Sequence, residues 1–431
     1  MLNPSQKIKN LREIKKYTQE ALADALGCSK SKVSQVEKGE WEYSEDDIKA
    51  AKIFFGIENA PFTSSELMEF RQRLYKWRDY IKNGLIGDAK DFQKGLIVIN
   101  QLPFEPDLNF LYRMFEIRLF IKELNIEAAE NMLLADEANV EEASEEGKHH
   151  FYYNMGSMSI LRRDFKTALQ FYLKAREFEI YTLEKDLGLD LNLVLCYSEL
   201  GKYTLAIGVI EKVYHKFDYN STGAARAYLD STLAINYVNI GQVARAKELL
   251  KKSIAEAKGI TDKTHIGTIL HNYGCACWRN GEYEEAIRYF DQADAEYVEG
   301  VFNYQREKLE NMYWKIRCLI ALKKSSKVRP LLDKAKSLVR EWENEHYLMA
   351  FESLSHLLTI TKDGSIEFIE KKTIPYFIKK YEYYRVLHYC ELLESIFKRR
   401  GAGYKTRALE MAVIIRDIIN EITFGEEVKL L

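Results

Sequence analysis

The sequence predicts an all-α protein in which a small N-terminal helical module precedes a long array of repeated helix pairs. The chain has only 22 glycines and 6 prolines among 431 residues, and 47% of its residues are apolar, which favours packed helices over disorder. Apolar residues recur at helical spacing along most of the chain. Residues typical of tight turns interrupt this pattern about every 40 residues, a period typical of a helical solenoid.

Residues 1–59 have the pattern of a separate module of four short helices. Ile8, Leu11 and Ile14 share one face of the first helix. The next three helices are expected to begin at the N-cap residues Thr18, Ser29 and Ser44. The residues expected to end the second, third and fourth helices are Gly27, Gly39 and Gly56. The spacing therefore predicts four helices joined by tight turns.

This module resembles the XRE-type helix-turn-helix domain of phage repressors and their bacterial relatives over about residues 5–57. The resemblance is carried by Leu11-Arg12, Thr18-Gln19-Glu20, Leu22-Ala23, Gly27 and the stretch Ser29 to Gly39. It implies that the third helix enters the major groove of DNA. It also implies an internal salt bridge between Arg12 and Glu37, across the first and third helices.

Polar side chains on the outward face of the third helix suit the reading of base edges. They are Lys30, Ser31, Ser34 and Gln35. Thr18 and Gln19 are expected to hold a phosphate through backbone N–H groups at the start of the second helix. Lys16, Lys32 and Lys38 are better placed for phosphates than for bases.

The charge of the first module differs from that of the whole chain. Residues 1–38 contain eight basic and four acidic side chains, whereas the entire protein has a net charge of −2. A local positive excess favours contact with the phosphate backbone of double-stranded DNA. The alternative is that these lysines only solvate a small helical bundle.

The rest of the chain is predicted to be a repeat domain over 70–431, joined to the first module by a polar linker over 60–69. About nine helix pairs are expected, with turns at positions 84, 124, 163, 201, 241, 281, 323, 364 and 401. The clearest copy resembles the tetratricopeptide repeat through Tyr273-Gly274, Gly281, Tyr283, Ala286, Phe290 and Ala293. This resemblance implies a right-handed superhelix whose concave wall is lined by the first helix of each pair.

Candidate peptide-binding residues lie on those first helices. Asn154, Asn192 and Asn272 occupy the same repeat position, with Thr232 in the intervening copy, and an amide there can pair with the backbone of an extended peptide. The remaining candidates are Asn239, His271, Trp278, Arg279, Tyr313, Trp314 and Arg317. The basic members suit a carboxylate. The alternative is that this asparagine is a general feature of such repeats and that the aromatic residues form core.

The combination of an XRE-type helix-turn-helix with many tetratricopeptide repeats resembles the RNPP family, the cytoplasmic receptors of secreted peptide pheromones in Gram-positive bacteria. NprR-type members have the most similar repeat number. The resemblance implies a quorum-sensing transcription regulator that binds DNA and a short signalling peptide as a homodimer or higher oligomer. Rap-type members imply an alternative, a protein–protein adapter that sequesters a response regulator or phosphorelay protein, with or without DNA binding.

Other function classes find little support in the sequence. It has no glycine-rich phosphate loop, no HExxH and no GxSxG, and its eight histidines lack ligand spacing, so we expect no enzyme activity and no cofactor. Cys275 and Cys277 diverge on a helix and predict no metal site. No apolar run approaches the roughly 18 residues of a membrane span. We therefore expect a cytoplasmic protein, not associated with a membrane, whose six cysteines are reduced and mostly buried.

The last predicted helix, over 404–422, has an apolar stripe that needs a partner surface. The stripe consists of Leu409, Ala412, Val413, Ile415 and Ile419. It is expected to cover the last repeat or a second copy of the chain, and the latter would produce the homodimer.

Overall fold

The computed structural model describes residues 3–102, 104–183, 187–214, 223–258, 265–299 and 304–424. Within these ranges the regular structure is helical throughout, which confirms the predicted all-α class. The chain divides into two compact units. The first contains Met1–Leu161 with Phe171–Lys185, and the second contains Arg162–Gln170 with Asp186–Leu431.

The first module has the four predicted helices. They are α1 (Pro4–Ile14), α2 (Gln19–Leu26), α3 (Lys30–Glu37) and α4 (Glu45–Phe55). As expected, the N-caps of α2, α3 and α4 are Thr18, Ser29 and Ser44. Each side chain accepts a hydrogen bond from a backbone N–H of the first turn. Gly27 and Gly56 then reverse the chain with φ of 63° and 69°, which favours glycine because a side chain is strained there.

The core of this module forms where the apolar faces of the four helices meet. Ile8, Leu22, Val33 and Ala51 are completely buried. Ile14 is a correction, because its side chain is 58% exposed rather than part of that face. It is the last residue of α1, and the chain turns away immediately after it.

The segment 60–69 is packed rather than an open linker. Ala60 and Phe62 are each 1% exposed, and α5 (Ser64–Lys82) begins within the segment. Lys7 of α1 donates a hydrogen bond to the Phe62 carbonyl at 2.8 Å. The same ammonium lies 2.5 Å from a carboxylate oxygen of Glu105. The four-helix module therefore shares one continuous core with the first repeats, because Phe62 bridges them.

Helix pairs follow in both units. After α5, the first unit contains α6 (Ile86–Gln93), α7 (Pro106–Lys122), α8 (Ile126–Glu137) and α9 (Glu145–Leu161). Helix α10 (Phe165–Glu177) belongs partly to each unit. The second unit continues with α11 (Leu187–Glu199), α12 (Tyr203–Tyr214), α13 (Gly223–Asn239), α14 (Val243–Lys258), α15 (Ile266–Arg279) and α16 (Tyr283–Glu296). It ends with α17 (Tyr304–Ala321), α18 (Ser325–Glu341), α19 (Glu345–Leu357), α20 (Asp363–Phe368), α21 (Ile374–Lys379), α22 (Tyr383–Arg400) and α23 (Lys405–Phe424).

Most predicted turn positions adopt the left-handed backbone that reverses a helix pair. Positive φ values occur at Gly84, Leu124, Arg163, Gly201, Gly241, Gly281, Lys323 and Gly401. In several of these turns the next residue donates back across the turn, as Lys202 does to the Tyr197 carbonyl at 2.8 Å. Position 364 is a correction, because Gly364 lies in the first turn of α20 and residues 358–362 make the reversal.

The tetratricopeptide-like contact between paired helices is visible at Gly274. A Cβ atom on this residue of α15 would lie 2.5 Å from the ring of Phe290 in α16, so only glycine permits the observed approach. Gly156 has the same relationship to Tyr172, at 2.7 Å. The prediction that small residues lie where paired helices touch, with aromatic rings filling the gaps, is confirmed.

Candidate functional site

The outward face of α3 carries the four side chains predicted to read bases. Lys30 and Ser31 are exposed and Ser34 and Gln35 half-buried, while Val33 on the opposite side of the helix is fully buried. Lys30 Nζ lies 3.5 Å from a carboxylate oxygen of Glu20. Because both side chains are well exposed, solvent screens this pair and the ammonium can exchange it for another anion.

Lys32 has an internal partner that its sequence pattern does not indicate. Its ammonium donates to both carboxylate oxygens of Asp47, at 3.0 and 2.8 Å. The hydrogen bond raises the Lys32 pKa, and the Asp47 pKa is lowered because bonds from Lys32 and Ser44 outweigh the effect of burial. Asp47 also completes the cap of α4. A phosphate contact by Lys32 would therefore compete with an existing ion pair.

The salt bridge between Arg12 and Glu37 is confirmed. Arg12 Nε donates to Glu37 Oε1 at 2.5 Å and Nη2 donates to Oε2 at 2.8 Å. The pairing raises the Arg12 pKa. Gln19 joins the same group, because its side-chain amide donates to Glu37 Oε2 at 2.8 Å. The Gln19 side chain is thus hydrogen-bonded within the module. The predicted phosphate contact would therefore be made by its backbone N–H.

The positive excess of residues 1–38 is smaller at the surface than in the sequence. Lys7 is buried, and Arg12 and Lys32 form the ion pairs described above. Lys15 Nζ donates to the Phe55 carbonyl at 2.8 Å. The predicted phosphate-contacting residues that remain exposed are Lys16 and Lys38, together with Thr18, whose hydroxyl caps α2.

The candidate peptide-binding residues divide between the two units. Asn154 belongs to the first unit and is completely buried. Its amide nitrogen donates to the Met114 carbonyl at 2.8 Å, and its oxygen accepts from Arg118 Nε at 3.3 Å. Both ends of this amide are therefore engaged between α7 and α9, which matches the alternative that the asparagine joins neighbouring repeats.

In the second unit, asparagines join the first helices of successive pairs. Asn272 Nδ2 donates to Ser231 Oγ at 2.8 Å, which connects α15 to α13. Asn236, absent from the candidates, accepts from Ser198 Oγ at 2.9 Å and connects α13 to α11. Thr232 Oγ1 donates to the carbonyl one turn earlier in its own helix. Asn192, Asn239 and Asn272 are half-buried and thus border the solvent.

His271 is also engaged. Its Nδ1 lies 3.0 Å from Asn311 Oδ1 and its Nε2 lies 3.4 Å from Cys275 Sγ. Burial lowers the His271 pKa, so the imidazole is neutral at physiological pH. Asn311 in turn donates to the Phe290 carbonyl at 2.7 Å.

Three predicted residues, Trp278, Tyr313 and Trp314, come together around the guanidinium of a fourth, Arg317. Arg317 is 5% exposed, and its guanidinium carbon lies 4.2 Å from the ring centroid of Trp278 and 4.6 Å from that of Trp314. Tyr313 is fully buried beside it, at 5.7 Å. We call Arg317, Trp278 and Trp314 the arginine cage. Arg279, at the end of α15, is exposed.

A second cluster of charged residues, the ion network, was not predicted. It consists of Arg163, Glu310, Glu382 and Arg385. Arg385 is fully buried and donates to Glu310 at 2.9 Å and to Glu382 at 2.7 Å. Although burial raises the pKa of Glu310, Arg385 and neighbouring donors lower it to about 2. Glu310 also accepts from Trp314 Nε1 at 2.9 Å, which connects the network to the arginine cage.

The cysteines and the one group of possible metal ligands among the described residues are the candidates for a reactive or metal-binding arrangement. All six thiols are free, and five of them are buried, as predicted. Among the described residues, Cys277, Glu282 and Glu285 place ligand atoms within 4.8 Å of one another. The Glu282 carboxylate in this group already accepts hydrogen bonds from Lys247 and Asn280.

None of the described helices is long and apolar enough to cross a membrane.

Comparison with known families finds two matches. Residues 5–51 match a helix-turn-helix domain, and residues 223–293 match the tetratricopeptide repeat. Both matches fall where the structure has the corresponding helices.

Individual proteins are also similar to this chain, one in sequence and others in fold. The chain is 24% identical over 308 residues to the transcriptional activator NprA of Geobacillus stearothermophilus, covering 67% of this chain and 73% of NprA. Its fold is similar to that of a Rap protein complexed with competence and sporulation factor, with a TM-score of 0.72, 18% identity, and coverage of 83% of this chain and 100% of that one. The complex of NprR with its cognate peptide NprX gives a TM-score of 0.69, 19% identity, and coverage of 82% and 98%.

These relatives agree with the expectation that the protein is not an enzyme, since NprA is a transcription regulator. The N-terminal helix-turn-helix, the tetratricopeptide-type repeats and the similarity to NprA together identify the architecture. The chain is similar in sequence to the transcriptional activator NprA, and its fold is similar to those of NprR and a Rap protein.

Proposed function

We propose that this protein is a cytoplasmic quorum-sensing transcription regulator that binds double-stranded DNA through α3 and a short signalling peptide through its repeats. The observation that carries the DNA-binding part is the polar outward face of α3, opposite the buried Val33 and Val36, in a domain that matches a helix-turn-helix. A helix of this kind exposes side chains at the spacing of base edges in the major groove.

The DNA-binding part is tested with Gln35→Ala and Lys30→Ala in a footprinting or mobility-shift assay on the protein's own promoter. Each variant should lose roughly 1 to 3 kcal/mol of base discrimination while its thermal stability is unchanged. Lys94→Ala, at an exposed lysine whose partner Asp91 is also exposed, is the control. Protection that is unchanged in both α3 variants would refute the assignment.

The peptide-binding part is supported by the shared fold with NprR, whose structure contains its cognate peptide NprX. We place the ligand on the first helices of the second unit, near Asn192, Asn239, Asn272 and the arginine cage. The test uses synthetic peptides of about five to ten residues that tile any small open reading frame next to the gene, with calorimetry as the readout.

Asn272 offers a sharp comparison because its partner is known. If Asn272 contacts the peptide directly, Asn272→Ala should weaken peptide affinity by roughly 0.5 to 1.5 kcal/mol, while Ser231→Ala, which removes the accepting hydroxyl at 2.8 Å, should not. Equal losses in the two variants would mean that Asn272 acts only by joining α13 to α15.

The second candidate function is a Rap-type adapter, favoured by the fold similarity to the Rap complex. Such a protein would bind a response regulator or phosphorelay protein through its repeats. The two functions separate in one experiment. A regulator controlled by peptide changes its DNA affinity when the peptide is added, whereas an adapter releases its protein partner and leaves DNA affinity unaltered.

A further inference from the structure

Arg317 differs from Arg385 and Arg163, the two arginines of the ion network, because no carboxylate among the described residues pairs with it. Arg385 contacts two carboxylates and Arg163 contacts one. Across the part of the chain that the structure describes, no carboxylate lies within salt-bridge distance of Arg317, and its Nη2 is buried without a hydrogen-bond partner. A guanidinium remains charged at any physiological pH, so its burial without an anion is unfavourable.

The surroundings of Arg317 explain how the fold tolerates this charge. The faces of Trp278 and Trp314 lie on it at 4.2 and 4.6 Å, and cation–π attraction offsets part of the lost hydration. These rings supply no oxygen or nitrogen acceptor, and Nη2 of Arg317 stays without a hydrogen-bond partner. Nearby cations make the site more positive, and the pKa of His388 is lowered by burial and then by Arg317 and Arg279.

The walls of the site are apolar and partly open. Trp278 and Trp314 are half-buried and meet edge to face, with ring centroids 4.9 Å apart. The ring of Tyr384 is stacked with that of Trp314, and their centroids are 6.3 Å apart. A ligand group that reaches Arg317 would therefore be an anion flanked by an apolar or aromatic side chain, since both surfaces would be contacted together.

We propose that the arginine cage is the binding site for a carboxylate of the peptide ligand, next to a hydrophobic side chain. This inference rests on the proposed peptide-binding function and adds the chemical class that is recognised. The carboxylate forms charge-assisted hydrogen bonds with the Arg317 guanidinium. It is supplied either by the peptide C-terminus or by an Asp or Glu side chain.

Three synthetic tripeptides distinguish these sources, with tryptophan fluorescence and calorimetry as readouts. They are acetyl-Ala-Ala-Phe with a free carboxylate, the same peptide as its carboxamide, and acetyl-Ala-Asp-Phe carboxamide. One of the two carboxylate-bearing peptides should bind at least about tenfold more tightly than the uncharged one, as expected for a charge-assisted hydrogen bond. Equal affinity of all three peptides, or no saturable binding by any, overturns the proposal.

Substitution of Arg317 gives a second, independent readout. Arg317→Met should abolish the preference for carboxylate while the thermal midpoint stays equal or rises, because an unpaired buried charge has been removed. Arg317→Lys, which keeps the charge, should retain part of the preference. Arg385→Met is the matched control: it breaks two ion pairs and should lower the midpoint. An undiminished preference in Arg317→Met, or a lost preference in both Arg317 variants with lowered midpoints, contradicts the proposal.

The anion site and the proposed function can be refuted separately. If the cage binds the carboxylate tripeptide but no peptide alters DNA binding or partner release, the proposed function is wrong and the anion site stands. If signalling peptides bind tightly and Arg317→Met has no effect on them, the function stands and the site is elsewhere.

Discussion

Arg163 and Glu382 are separated by 219 residues in sequence and form an ion pair of 3.0 Å within the second compact unit. Arg163 is the left-handed residue of the turn before α10, with φ of 57°, and Glu382 immediately precedes α22. Repeat proteins are held together mainly by contacts between neighbouring repeats. This pair connects distant repeats, and its side chains are only 18% and 3% exposed.

Breaking that pair should destabilise the protein. Arg163→Met leaves Glu382 buried with one guanidinium partner fewer, which predicts a loss of about 3 kcal/mol in the free energy of unfolding, the lower end for a buried pair because Arg385 still contacts Glu382. Urea unfolding measures the change. Lys371→Met removes an exposed pair with Glu367 and should have no measurable effect. Similar results for the two variants would mean that the distant contact contributes little.

Buried neutral histidines should make stability depend on pH. Burial, followed by the nearby Arg118 or Arg163, lowers the pKa of His150 and of His346 from its ordinary value of 6.5. Below about pH 6.5 the unfolded chain binds protons that these residues cannot bind when folded, so the stability is complete above that pH and falls as the pH decreases.

The measurement for this prediction is urea unfolding at about pH 7.5 and about pH 5.5. The free energy of unfolding should be smaller at the lower pH. His346→Gln should reduce the difference between the free energies of unfolding at the two pH values, because one titrating group has been removed. This holds whatever the effect of the substitution on stability at the higher pH. Identical stability of the parent protein at both pH values would contradict the expected fall in stability at low pH.

Two glycines of the repeats should respond in opposite directions to alanine. Gly274→Ala places a Cβ atom 2.5 Å from Phe290, and overpacking should cost roughly 1 to 3 kcal/mol. Gly208→Ala, in α12, meets nothing within 4 Å and should stabilise the helix by roughly 0.5 to 1 kcal/mol. Thermal unfolding of both variants tests the close approach of α15 and α16. A neutral Gly274→Ala would show that this helix pair can separate.

The C-terminal helix provides a test of the homodimer that the sequence leads us to expect. Its buried face consists of Ala408, Met411 and Ile418, whereas Leu409, Val413 and Ile419 of the predicted stripe are 58%, 43% and 49% exposed. An exposed apolar row suits a second copy of the chain.

We therefore expect Leu409→Asp combined with Val413→Asp to convert a dimer into a monomer in light scattering at micromolar concentration. Leu134→Asp, at a 61% exposed leucine of α8, serves as the control and should leave the mass unchanged. A parent protein that is already monomeric, with and without DNA, would refute the dimer itself.

Local sequence signals were sufficient for most of the fold. The N-cap residues Thr18, Ser29 and Ser44 act within a few residues of their own helices, so their effect can be read without the tertiary structure. The same is true of Gly201 and Gly241, because a left-handed turn depends on the conformational freedom of a single residue. Position 364 was wrong since glycine also occurs inside a first helical turn.

The candidate sites were predicted less completely because a residue type does not specify its partner. The sequence predicts that Lys32 contacts a phosphate. In the structure, α4 places Asp47 Oδ2 2.8 Å from Lys32 Nζ. The sequence predicts that Asn154 contacts a peptide. In the structure, its side-chain amide is hydrogen-bonded to the Met114 carbonyl and to Arg118 Nε. Both partners come from other helices, at distances in sequence that no local pattern reveals.

Sequence alone determined the all-α class, the four capped helices of the first module, most of the turns and the small residues between paired helices, since each depends on short-range backbone and side-chain preferences. Tertiary structure decided that Ala60 and Phe62 are buried, that Arg163 pairs with Glu382, and that Arg317 lies against two indoles with no carboxylate of the described residues within salt-bridge distance. These features depend on which helices pack together. Burial then sets the balance of charge and hydration at each group, because an ion pair or an unpaired guanidinium acquires its energetic weight only once water is excluded.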